Sequence, residues 1–196
     1  MEFQTNYIFN DFIDELVLKS KNPRNSLSIK IPFTYASNLV HLNWNDLFYA
    51  IENEYFDTNA AIEFASMKLI NDEHDDKVLD LACLNSNDIT KVELFDKYLV
   101  NFIDTVSKKE KTESKDKILY IILTMLFQYK SNFEDPYRVI EIIYDDFDFP
   151  KSMQGFVRYL NSSIISTEEL DDRWSEFLNE QKNNFAARWV IAKYLW

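Results

Sequence analysis

Apolar residues recur along this chain at spacings of three and four, the period of a helix that buries one face. Over 6–18, Ile8, Phe9, Phe12, Ile13 and Leu16 share a face, and the polar stretch 19–26, with its proline, ends that element. Leu27, Ile29, Ile31 and Phe33 then alternate with Ser28, Lys30 and Pro32. That period of two suits a strand, but Pro32 confines it to an edge and no partner strand follows. The segment 27–33 therefore reads as a short extended stretch lying on the helices. From Leu42 the helical pattern resumes. Asn43 caps a helix carrying Trp44, Leu47, Phe48 and Ile51, with Asp46 in its first turn. Asp57 or Thr58 opens the next, with Ala61, Ile62, Ala65 and Leu69 inward. A short helix holds Val78, Leu79 and Ala82, and 88–106 carries the cleanest stripe: Val92, Phe95, Leu99, Phe102, Ile103 and Val106.

The stretch 107–117 has five lysines and no apolar residue, and reads as a mobile loop between two halves of a single domain spanning 1–196. Beyond it, 118–129 is apolar nearly all round, as a buried central helix would be. Asp135-Pro136 is a cap with proline in the first turn, leading into Val139, Ile140, Ile143 and Tyr144. Asp148 caps a following element with Met153, Phe156, Val157 and Leu160. Ser166 to Glu169 forms a capping box before Leu170, Trp174, Phe177 and Leu178, and a last helix covers 184–195. The expected fold is all-α, with roughly nine or ten helices packed as antiparallel hairpins.

Composition narrows the chemistry. The chain has 196 residues, 46% of them apolar, enough to fill a core. Its single glycine, Gly155, excludes glycine-rich phosphate loops and dinucleotide fingerprints. The lone Cys83 reads as an inert core thiol and can form no internal disulfide, which fits a reducing compartment. No basic segment followed by an apolar one opens the chain, and no apolar run is long enough to span a bilayer, so the expected location is the cytoplasm. The net charge is −12, and it is uneven: residues 31–104 hold 14 acids against four bases. That balance argues against nucleic acid or anionic membrane as a partner. It serves solubility, or it is a recognition face for a basic protein.

No catalytic constellation emerges. His41 reads as a partly buried residue with local hydrogen bonds, and His74 lies among carboxylates without paired metal-ligand spacing. The run Asp145-Asp146-Phe147-Asp148 lacks the glycine and the distal glutamate of a calcium loop. Gly-x-Ser-x-Gly and His-Glu-x-x-His are both missing. The expectation is a non-enzyme with no cofactor and no metal. The candidate partner-binding residues are Asp46, Glu52, Glu54, Asp57, Asp72, Glu73, Asp75, Asp76 and Asp80, with Tyr49 and Tyr55 as aromatic anchors beside them.

Two stretches carry a resemblance. Leu42-Asn43-Trp44-Asn45-Asp46-Leu47, followed by Ala50-Ile51-Glu52-Asn53 and 60–65, resembles the opening of a bacterial family known only as a domain of unknown function. Asp135-Pro136, Ile143-Tyr144-Asp145-Asp146-Phe147, Phe149-Pro150 and Phe156-Val157-Arg158-Tyr159-Leu160 are similar to its second signature. Together they cover most of 42–160. The family brings no catalytic residues, and Asp148 departs from it where a small residue or glycine is expected. Small acidic helical proteins of this kind are similar, as a class, to immunity proteins of bacterial toxin systems. The resulting expectation is a non-catalytic binding module that neutralises a basic toxin domain through its acidic face. The alternative is a small-ligand-binding protein or enzyme with a site between helices.

Overall fold

Polar side chains at Asn43, Asp75, Thr90, Asp135 and Ser166 cap the helices that follow them, and apolar faces then decide which residues each helix buries. The computed structural model describes residues 8–71, 75–85, 89–103, 108–161 and 165–194, with the side chains of all except 108–110 and 188–194. Among the described residues there are nine α-helices and no strand. They are α1 (Asn10–Lys19), α2 (Phe33–Leu39), α3 (Trp44–Glu52), α4 (Asn59–Ile70), α5 (Asp76–Ala82), α6 (Lys91–Glu93), α7 (Lys108–Gln128), α8 (Pro136–Asp146) and α9 (Thr167–Tyr194). The fold is all-α. The chain divides into two compact units: unit 1 is Met1–Ile29 with Leu119–Trp196, and unit 2 is Lys30–Ile118. No described helix is long and apolar enough to cross a membrane.

Unit 2 is organised around a buried carboxylate. Asp46 donates its N–H to the Asn43 side chain at 3.0 Å, and its own Oδ2 accepts the Asn43 N–H at 2.8 Å, closing a reciprocal cap on α3. Asp46 is only 1% exposed. Its Oδ1 also accepts from the Ser114 hydroxyl at 2.8 Å, and Lys117 forms an ion pair with Oδ2. Ser114 and Lys117 sit on α7, so the loop expected over 107–117 is helix from Lys108 onward. Lysine and glutamate are good helix formers. Ser114, Lys117, Ile118 and Ile121 also follow the i, i+3, i+4, i+7 spacing that puts one face inward.

As expected, the stretch 27–33 pairs with no strand: Ile31 gives its N–H to the Tyr55 carbonyl at 2.9 Å, and Phe33 itself begins α2 behind Pro32. Another expectation in unit 2 changes. The long stripe over 88–106 is broken into α6, a π-helical turn (Leu94–Tyr98) and a 3-10 turn (Leu99–Asn101). The wider π turn rotates the inward face. Leu94 and Leu99 are buried, and Val92 is left in water. Trp44 stacks on Phe102 at 4.2 Å and meets Phe64 edge-on at 4.6 Å.

Unit 1 packs the end of α7, α8 and α9 around Trp174, which is fully buried. Phe156 lies parallel to it and Phe127 edge-on, with centroids at 6.2 and 4.9 Å. The Tyr137 hydroxyl donates to Asp171 at 2.6 Å; burial first, then this carboxylate, push its pKa up. Asp135 caps α8 through the N–H groups of Tyr137 and Arg138 and accepts from Arg158 at 2.8 Å. On α1 the expected inward face is reduced to Ile13, and Phe9 and Phe12 are more than half exposed. Polar contacts help hold α1: Arg138 Nε donates to Asp14 at 3.1 Å, and Ile8 bridges to Phe133. The two helices expected after Ser166 are the single α9, because 179–184 contains neither glycine nor proline to interrupt it. Asp146, nearly buried, accepts from the Ser26 N–H at 2.8 Å and its hydroxyl at 2.6 Å. Burial outweighs these bonds and raises its pKa.

Stability should respond to both buried acids. Asp46→Asn leaves Lys117 without its countercharge in the interior, and urea unfolding should register a loss of about 3–5 kcal/mol. Asp146 titrates above its ordinary value in the folded state, so folding takes up a proton. Its contribution is complete below about pH 4 and is lost as pH rises through the raised value. The stability difference between wild type and Asp146→Asn, measured by urea midpoints across pH, should therefore move in favour of the variant as pH rises.

Candidate functional site

The end of α3 sets out the acidic surface of unit 2. Glu54 donates its N–H to the Ile51 carbonyl at 3.1 Å, and Tyr55 to the Ala50 carbonyl at 2.8 Å. This paired closure needs a left-handed residue just past the helix, a position glycine fills most easily. Here it is Glu54, with φ 63°. In unit 1, α8 ends the same way: Asp148 donates to the Asp145 carbonyl at 3.0 Å and Phe149 to that of Tyr144 at 2.9 Å, and φ at Asp148 is 59°. Asp148 therefore closes α8 instead of capping the next element, which accounts for the glycine or small residue expected there. A side chain in this region costs about 1 kcal/mol. A carboxylate beside the negative end of a helix costs a further few tenths.

Around Glu54 the acids are exposed and lightly held. Lys91 donates to the Glu52 carbonyl at 3.0 Å, and its ammonium lies 3.6 Å from the Glu54 carboxylate. Lys30 pairs with Asp57 at 3.0 Å. Such exposed pairs contribute at most about 1 kcal/mol. On α5, Asp75 accepts the Lys77 N–H at 2.8 Å and caps the helix. Asp76 and Asp80 come next, exposed and four residues apart, a like-charge spacing that weakens a helix slightly. At the start of α6, hydrogen bonds from the Thr90 N–H and hydroxyl, and then Lys97, lower the pKa of Glu93.

The acids thus fall into two groups. Glu52, Glu54 and Asp57 lie at the α3–α4 junction; Asp75, Asp76 and Asp80 lie on α5, entered after the far end of α4. Two candidates are corrected. Asp46 is interior, held by Ser114 and Lys117. Tyr55 is also buried, because the residue that completes the α3 closure folds back onto the helix. Tyr49 is half-buried. Asp72 and Glu73, like His74, lie outside the described residues. Cys83, expected in the core, is exposed at the end of α5, and His41 is exposed as well. Among the described residues no group of three or more histidine, cysteine or acidic side chains is placed to hold a metal ion.

The span from α2 through most of α9 matches a family described as an uncharacterized protein conserved in bacteria (DUF2247), over residues 33–182. The chain belongs to the DUF2247 family. The match includes both acidic groups and both left-handed helix ends and leaves α1 outside. No curated protein and no solved structure matches the chain.

Sequence reasoning missed the roles of Lys30 and Lys91 and the backbone setting of Glu54. The available signal was the glycine count, since a chain with one glycine must close most helices with other residues. Glu54→Gly and Asp148→Gly should each stabilise the fold by roughly 1 kcal/mol in urea titrations, by removing a left-handed side chain. A loss of stability in either would mean that the acid holds its turn in place.

Proposed function

We propose that this DUF2247 chain is a non-catalytic, stoichiometric binding module: a cytoplasmic immunity protein that covers the cationic cleft of a basic toxin domain with the acidic surface of unit 2. One observation carries the reading. Glu54 occupies a left-handed position at the negative end of α3, Glu52 is the last residue of that helix, and Asp80 stands in the last turn of α5, four residues after Asp76. These three placements cost stability locally, and all three side chains are exposed. Solubility alone would be served by the same acids at helix starts, where the backbone favours them. Residues that break a local rule at the surface are characteristic of functional sites.

The mechanism is occlusion. An acidic surface speeds encounter with a cationic one and disfavours acidic competitors. Binding should weaken as salt rises, because exposed charges are screened within about 10 Å at 0.1 M ionic strength.

The test uses charge reversal with two readouts. Glu52→Lys and Asp80→Lys together should keep or raise the urea midpoint, because each puts a cation near the C-terminal end of its helix and Asp80→Lys gives Asp76 an opposite charge to face. The same double variant should lose a basic partner that the wild-type chain retains at low salt and releases at high salt, with association slowed at least about tenfold. Retention of that partner with unchanged kinetics would remove this surface from the interaction.

A further inference from the structure

We infer that the C-terminal end of α8, with the rings of Tyr144, Phe149 and Tyr159 beside it, is a docking point for an arginine or lysine side chain of a partner protein. The surface belongs to unit 1 and shares no residue with the acids of unit 2. It rests on the proposed function in one respect only, the basic character of the partner.

Three features of the turn point to a cation. The helix end presents the negative pole of its backbone dipoles. Asp145 and Asp148 add exposed carboxylates on either side of the last turn. The rings supply faces that attract a positive charge. Tyr144 is buried and acts as a floor: Phe149 meets it at 5.3 Å and 75°, and Tyr159 at 6.3 Å and 66°. Phe149 and Tyr159 remain 57% and 56% exposed, with Leu160 exposed beside them. The nearby Arg158 is engaged by Asp135 and Glu141, at 2.8 and 3.3 Å. The pKa of Tyr159 is raised, by burial first and then by the negative charge of Asp145 and other neighbours.

A purely structural role accounts for part of this arrangement and leaves the rest. A helix closed as α8 is closed commonly rests an apolar residue at the position of Phe149 against the one at Tyr144. It does not require that residue to be left-handed itself, yet φ at Phe149 is 57°. Such a conformation is an outlier for a bulky residue and is characteristic of ligand clamps. Its effect here is to leave most of a phenylalanine ring in water beside two carboxylates.

The experiment uses the full chain and a short blocked peptide alternating arginine and leucine, with a citrulline-for-arginine version that keeps the shape and removes the charge. Amide and aromatic NMR shifts over 144–160 should move saturably with the arginine peptide, and the citrulline peptide should bind about fivefold more weakly. Phe149→Gly relieves the left-handed strain, so Tm should hold or rise while arginine-peptide affinity falls by about fivefold. Asp145→Asn, which leaves the turn intact, should weaken binding about twofold or more. Equal binding of both peptides would make the patch merely apolar and overturn the proposal. So would the lack of saturable shifts over 144–160, or a Phe149→Gly variant that loses Tm and keeps its affinity. No toxin partner enters this test, so its failure leaves the reading of unit 2 standing, and failure of the charge reversals leaves this docking point standing.

Discussion

The carboxylate of Asp46 does three jobs at once, and the arrangement of unit 2 depends on all of them. It closes the first turn of α3 by accepting the Asn43 N–H, accepts the Ser114 hydroxyl, and balances the ammonium of Lys117. An isolated charge in that position would be strongly disfavoured. Its satisfaction therefore requires α7 to be helical as far back as Ser114, with Ser114 and Lys117 on the face turned toward α3. Within a lysine-rich stretch, Ser114 and Lys117 are turned inward by one acid about seventy residues earlier in the chain, while Lys111, Thr112 and Asp116 stay exposed.

Local signals made part of this legible in the sequence. The Asn43 cap, the Asp135-Pro136 start of α8, the apolar 118–129 stretch and the strand-free architecture all rest on neighbours a few residues apart. The misreadings share a different cause. The stretch 107–117 looks like a loop until Asp46 is placed against it. The stripe over 88–106 is a good helix by period, but a π turn moves the burial to Leu94 and Leu99. Phe9 and Phe12 continue a helical face, yet both are more than half exposed, and of that face only Ile13 is fully buried, with Arg138 and Glu134 adding polar contacts to α1. Periodicity reports that a face exists, and distant residues decide whether anything covers it.

The candidate surface was legible to a similar degree. The concentration of acids in 31–104 is plain in the sequence, but their sorting is not. Asp46 differs from Glu52 only in its contacts: one is interior and the other is at the surface. Glu54 and Asp148 became informative through their backbone, because each stands where a helix closure favours glycine and carries a charge opposed by the helix end. The scarcity of glycine, first a reason to exclude phosphate-loop chemistry, thus also explains why two acids sit in left-handed turns.

Unit 2 is one uninterrupted stretch of chain, whereas unit 1 is assembled from Met1–Ile29 and Leu119–Trp196. On the ribosome the order of emergence matters, since compact units fold as their residues become available. α1 leaves the tunnel before unit 2, with apolar side chains that α8 cannot yet help to shield and with Asp14 still lacking Arg138. Unit 2 can complete its core next, once Ser114 and Lys117 are out. The nascent chain therefore carries α1 without its unit 1 partners through the synthesis of about ninety residues, and that interval is when the exposed face of α1 is most open to chaperone binding or to premature association.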